Sequence, residues 1–111
     1  MVELTRDMLG EMVAAIVAEV HPERIILFGS HAREDATGGS DLDILIEESD
    51  GFGPQRTRWG EIRRIRRALR RFRVPKDILV YSSDEVAKWR GAQNHVVASC
   101  LRTGKTLYER S

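Results

Sequence analysis

The chain has 111 residues, 41% hydrophobic and 32% charged, with a formal net charge of +1. That length suits one domain with a single core and leaves too little chain for a separate substrate-binding domain, so whatever the protein acts on is expected to dock from outside. No apolar run approaches the roughly 18 residues that span a bilayer, the start with Glu3, Arg6 and Asp7 lacks a secretory pattern, and the lone Cys100 can form no internal disulfide; a cytoplasmic protein is expected.

In chain order, Thr5 is placed to cap a helix whose apolar positions Met8, Leu9, Met12, Val13, Ile16, Val17 and Val20 recur at the 3.6-residue period, and Pro22 follows its end. Arg24 to Phe28 is a near-continuous apolar strand of the type buried on both faces, which predicts an interior place in a sheet. Gly29-Ser30 stops it, His31 to Asp35 has room for one helical turn, and Thr37 to Ser40 reads as a flexible loop through which a ligand enters. A second strand opens with Asp41-Leu42-Asp43 and runs through Ile44 to Ile46, with Leu42, Ile44 and Ile46 facing the core. After a break at Asp50 to Pro54, the residues Trp59, Ile62, Ile65, Leu69 and Phe72 predict one buried stripe of a long helix, about five turns by the 3.6 period.

Val74-Pro75 ends that helix, and Asp77 to Tyr81 reads as a third strand with Asp77, Leu79 and Tyr81 on one face. Ser82 with Glu85 forms a capping-box pattern for a short helix through Trp89, Gly91 interrupts it, and a further helix near Ala92 to Arg102 is closed by Gly104. The tail Lys105 to Glu109 reads as an edge strand or a docking segment. The order predicts an α/β (α+β) fold, a small mixed sheet with helices packed on one face and the other face free for the aspartates.

Charge is distributed unevenly. From Gln55 to Lys76 nine arginines and one lysine stand against Glu61 alone, a local excess of +9 that leaves −8 for the remainder. A solvated helix face usually mixes signs, so this one points to an acidic protein partner first and to RNA second.

The chemistry concentrates between Gly29 and Asp43. Residues i and i+2 of a strand share a face, placing Asp41 and Asp43 about 7 Å apart along the chain, and two such carboxylates are relieved by a shared proton, a cation or a divalent metal. Metal is the favoured reading, and Asp77 becomes a third carboxylate if its strand lies beside that of Asp41. Gly29 permits close backbone approach and Ser30 adds a hydroxyl, a combination that suits a phosphate. Oxygen ligands alone favour Mg²⁺, and two such ions about 4 Å apart, bridging an attacking hydroxyl and a triphosphate, fit nucleotidyl transfer. His21, His31 and His95 show no metal-ligand spacing, and Tyr81, Tyr108 and His31 read as packing or loop residues.

Gly29-Ser30, the ten-residue gap and Asp41-Leu42-Asp43 resemble the signature of the minimal nucleotidyltransferases of the DNA polymerase β superfamily, and Ala32-Arg33 also matches that pattern. The opening helix, Asp77 and the closing Gly104 to Glu109 extend the resemblance over nearly the whole chain, residues 1–111 as one domain, while Glu34 stands where the family often has glycine. The resemblance implies that Gly29 and Ser30, with Arg33, contact the triphosphate of ATP, and that Asp41, Asp43 and Asp77 bind Mg²⁺ and carry catalysis. It further implies an antitoxin that transfers AMP to a tyrosine of a HEPN-domain ribonuclease toxin, with which it forms a hetero-oligomer. Two other readings stay open: transfer to a small hydroxylated molecule, and a non-catalytic module that neutralises its partner by contact.

Overall fold

The computed structural model describes residues 4–37 and 39–111; Glu3 and, in the predicted entry loop, Gly38 lie outside the described residues. Helix α1 (Arg6–Val20) begins where the Thr5 hydroxyl accepts from the Met8 amide at 3.0 Å, buries Met12 and Ile16, and stops at His21, whose φ of +48 turns the chain toward Pro22. Strand β1 (Arg24–Phe28) leads through Gly29 into the single turn α2 (Ser30–Arg33), and the loop returns as β2 (Leu42–Glu48). Helix α3 (Arg58–Ala68), capped by Thr57, connects β2 to β3 (Lys76–Ser82). Then follow α4 (Ser83–Trp89), α5 (Val96–Thr103) and the edge strand β4 (Lys105–Glu109).

The sheet order is β3-β2-β1-β4, with β2 and β3 parallel and the other pairs antiparallel, so β1 and β2 are the interior strands. Alternation divides the sheet's side chains between two cores. Ile25, Leu27, Leu42, Ile44, Ile46, Ile78 and Val80 pack with Met12 and Ile16 of α1 and Ile62 and Ile65 of α3. Ile26, Leu45, Leu79 and Tyr81 project the other way and pack with Val86 of α4 and Val97 and Cys100 of α5. Each fully buried Ile or Leu contributes about 1.5–3 kcal/mol, so both layers stabilise the fold. Helices therefore cover both faces, where one was expected. The reason lies in the strands themselves, since Leu45 and Ile26 sit inside unbroken apolar runs that need burial on either side.

Three local expectations also shift. Helix α3 spans 11 residues rather than five turns, because after Ala68 the chain tightens into i→i−3 bonds, Arg70 to Arg67 and Phe72 to Leu69. Trp59 is 70% exposed rather than core. At about 100° per residue, Ile62, Ile65, Leu69 and Phe72 fall within roughly 80° of one another while Trp59 stands about 100° from their mean direction. Helix α5 starts at Val96 instead of Ala92, where the His95 imidazole accepts from the Val97 amide and stacks on Trp89 with ring centres 4.4 Å apart.

Close packing at Gly104 holds β4 against the sheet. A Cβ there would lie 2.5 Å from both the Cys100 carbonyl oxygen and Ile26, so only glycine lets α5 turn directly into an edge strand beside β1.

Candidate active site

Three elements meet at one end of the sheet. In the parallel β2–β3 ladder Asp43 pairs with Asp77, and on the other side of β2 Asp43 pairs with Phe28, the last residue of β1. The Leu42 amide donates to the Pro75 carbonyl at 2.8 Å, which sets this register at the start of both strands. Asp41 is exposed immediately before β2. Gly29 leaves β1 with φ +74 and ψ −155, and the space a side chain would take there is filled by the Asp43 carboxylate. Ser30 opens α2, and the Ala32 and Arg33 amides both donate to the Gly29 carbonyl at 3.1 Å.

The electrostatics agree with this placement. Burial raises the pKa of Asp43 above its ordinary value of 3.8; the Asp77 and Asp41 charges raise it further, and His31 and Arg33 pull it down. Asp43 thus carries repulsion that its protein neighbours do not fully relieve. Among the described residues no group of three carboxylate, imidazole or thiol side chains is placed to hold a metal ion; Asp43 and Asp77 meet in register at an open edge of the sheet, and Asp41 lies exposed just before it. Such an edge fits Mg²⁺, which takes oxygen donors, keeps several waters and shares substrate phosphates.

Arg33 is 59% exposed and pairs with Asp35 at 3.2 Å, so in this arrangement it is committed to a neighbour and acts on Asp43 only through its field. Two contributors to the surroundings were not recognised from sequence. His31, read as a solvent-facing loop residue, is half-buried, and its Nε2 donates to the Ser40 carbonyl at 3.3 Å, tying α2 to the approach of Asp41. Lys105, in register with Leu27 on β4, forms an ion pair with Glu34 at 3.3 Å. Only the Gly104-Lys105 pattern after a helix hinted at that approach. Glu34 itself has φ +63, a left-handed conformation that glycine adopts freely, which explains glycine at that position in the resembling family. Cys100 is buried, and its thiol is pushed up to about 11 by burial and then by the Asp43 charge, so it is a neutral packing group at pH 7.

Comparison with known proteins bears on the family and the fold. The family model described as a nucleotidyltransferase domain matches residues 11–99. A candidate nucleotidyltransferase from Sulfolobus solfataricus has the same fold, with a TM-score of 0.64 and 19% identity over 94% of this chain and 79% of that one. A toxin–antitoxin structure with AMP-PNP gives a TM-score of 0.56 and 21% identity, covering 92% of this chain and 74% of that one. A mutant MntA–HpeT toxin–antitoxin gives 0.52 and 19%, with the same coverage. None of the curated protein sequences matches. The match to the family model spans most of the chain, and this protein belongs to the nucleotidyltransferase domain family.

Proposed function

We propose that this chain is a Mg²⁺-dependent adenylyltransferase that moves AMP from ATP onto a tyrosine of a HEPN-type ribonuclease toxin and so serves as its antitoxin. The observation that carries the reading is the register pairing of Asp43 with Asp77 beside the Gly29 turn. The two toxin–antitoxin neighbours, one of them with AMP-PNP, support the partner and the nucleotide.

In this reading Asp41, Asp43 and Asp77 hold the divalent ion, which when bound lowers the pKa of a coordinated hydroxyl and neutralises phosphate charge. Gly29 lets the triphosphate approach the backbone, Ser30 offers its hydroxyl, and Arg33 adds positive charge once it leaves Asp35. The acceptor oxygen bonds to the α-phosphorus while the bond from that phosphorus to the bridging oxygen breaks. Pyrophosphate leaves with the electron pair, and the acceptor proton passes to water. A phenol, of pKa about 10, gives up that proton more readily than an alkyl alcohol. The open carboxylate edge encloses no acceptor by itself, so a docked protein must supply the orientation, an effect worth several kcal/mol of barrier.

The test is mass spectrometry of the protein encoded beside this chain after incubation with ATP and Mg²⁺. AMP-sized additions on tyrosine are expected. An inhibited but unmodified partner would favour neutralisation by contact, and a modified small hydroxyl compound beside an untouched protein would favour small-molecule transfer.

A further inference from the structure

The arginine-rich segment divides into two groups. Arg56 pairs with Glu48, Arg58 with Glu85 at 2.5 Å, and Arg64 with Glu19 at 2.8 Å, so these three hold the fold together. Arg63, Arg66, Arg67, Arg70, Arg71 and Arg73 are exposed, and among the described residues none forms an ion pair, Arg66 donating only to the Lys76 carbonyl at 3.3 Å. At about 100° per residue Arg63 and Arg66 lie within roughly 40° of Trp59 and Arg67 within roughly 80°, one helix face turned away from the core. Trp59 is the one exposed large hydrophobic among the described residues.

We infer that the α3 face formed by Trp59, Arg63, Arg66 and Arg67 is a docking surface for an acidic face of a partner protein, with Trp59 as the apolar anchor. This rests on the proposed transfer to a protein acceptor and adds where that acceptor binds. Charge complementarity selects the partner: a row of uncompensated guanidinium groups repels itself until carboxylates cover it, and guanidinium pairs with carboxylate in bidentate geometry. Composition selects protein over nucleic acid. Tryptophan and arginine dominate the energetics of protein interfaces, whereas single-stranded RNA is held by several aromatics on which successive bases stack, and this face has one. Position connects the surface to the chemistry. Helix α3 runs toward the Val74-Pro75 turn that enters β3 at Lys76 and Asp77, so a partner lying along it extends to the aspartate edge.

The test measures binding of the protein encoded beside this chain to the wild-type chain, to Trp59→Ala and to the double variant Arg63→Glu/Arg67→Glu, at low and physiological salt. A 20-nucleotide single-stranded RNA serves as a second probe, and ATP binding with Mg²⁺ as a control for the intact site. Expected are at least 10-fold weaker partner binding for Trp59→Ala and 100-fold for the double variant. Association should slow as salt rises, because these charges are screened over about 8 Å at physiological ionic strength. ATP binding should be unchanged. Unaltered partner affinity in both variants, absence of partner binding by the wild type, or loss confined to RNA binding would each overturn the inference. Surface-dependent binding without AMP transfer would leave the inference standing and refute the adenylyltransferase reading, whereas transfer with variant-insensitive binding would do the reverse.

Discussion

The Gly29 backbone lies against the Asp43 carboxylate so closely that a methyl group at position 29 would overlap Asp43 Oδ2. Gly29 also holds φ +74 with ψ −155, a region essentially reserved for glycine. Gly29→Ala is therefore expected to strain the backbone by about 1–3 kcal/mol and to displace Asp43, lowering transfer at least about 100-fold, the scale of a small misplacement of a reacting group. Gly10 provides the contrast: it lies within α1, and a methyl group there would meet nothing within 4 Å. Gly10→Ala should stabilise by about 0.5–1 kcal/mol. Thermal unfolding of both variants with single-turnover transfer assays checks the pair, and a Gly29→Ala protein of normal activity would break the link between the turn and the carboxylate.

Asp43→Asn keeps the side chain's shape and removes its charge. Because burial and the Asp77 and Asp41 charges raise the Asp43 pKa, ionising this group costs the metal-free fold stability as pH rises past its unfolded value. The amide variant should be equally or more stable than wild type at neutral pH without metal, yet inactive in transfer. Mg²⁺ should then raise the unfolding temperature of the wild type more than that of the variant. Retention of near-wild-type transfer would remove Asp43 from the catalytic group.

Much of this arrangement is legible from local patterns. The apolar run of β1, the Ser82–Glu85 capping box and the alternation of β3 are short-range signals, and the structure contains each of them. The resemblance locates the Gly29-Ser30 turn and Asp41-Leu42-Asp43, and the parallel ladder brings Asp77 beside Asp43. What fails to show depends on which elements meet. Leu45 and Ile26 demand a second core, but nothing in the strands says that α4 and α5 fill it. Trp59 is apolar and close to the stripe in sequence, although its helical angle sets it apart. His31 acquires its role only because the Ser40 carbonyl comes within reach of its ring, and Glu48 and Glu61 are buried together because Arg56, between β2 and α3, reaches both.

Glu34 offers a second backbone test. Its φ of +63 costs a side-chain-bearing residue about 1–2 kcal/mol; glycine relieves that strain but gives part of the gain back through the greater entropy of the unfolded chain. Glu34→Gly should thus be neutral to about 1 kcal/mol stabilising, despite losing the exposed pair with Lys105, which contributes little. Removing a negative charge near the Gly29-Ser30 turn should also tighten ATP binding severalfold at low salt. Isothermal titration with ATP and Mg²⁺ measures this, and weaker binding would mean that Glu34 positions Lys105 usefully.

The Glu48–Glu61–Arg56 cluster predicts how stability follows pH. Glu48 and Glu61 are 4% and 8% exposed, and Arg56 reaches Glu48 at 2.5 Å and Glu61 at 3.7 Å. Arg64 reaches the other oxygen of Glu61 at 3.4 Å, yet Glu48 Oε2 and Glu61 Oε2 accept no bond from a described donor. Burial, then the hydrogen bond and charge of Glu61, push Glu48 from 4.5 up to about 8, with Arg56 opposing. A raised carboxyl pKa means that the folded state holds a proton the unfolded state has released. The contribution is full below about pH 4.5, declines as pH rises toward 8, and is gone above it. Glu85 acts with the opposite sign: its bond to Arg58 holds its pKa below 4.5, so its contribution is present above that pH and is lost as pH falls through its lowered value. Stability should therefore peak in mildly acidic solution. Glu48→Gln, which keeps a donor toward Glu61 and leaves Arg56 one carboxylate to pair, should flatten the decline between pH 5 and 8, a window of about three units set by linkage to the Glu48 proton. Thermal unfolding of wild type and Glu48→Gln across that range reads the difference directly, and parallel curves would mean that Glu48 titrates as an ordinary carboxylate.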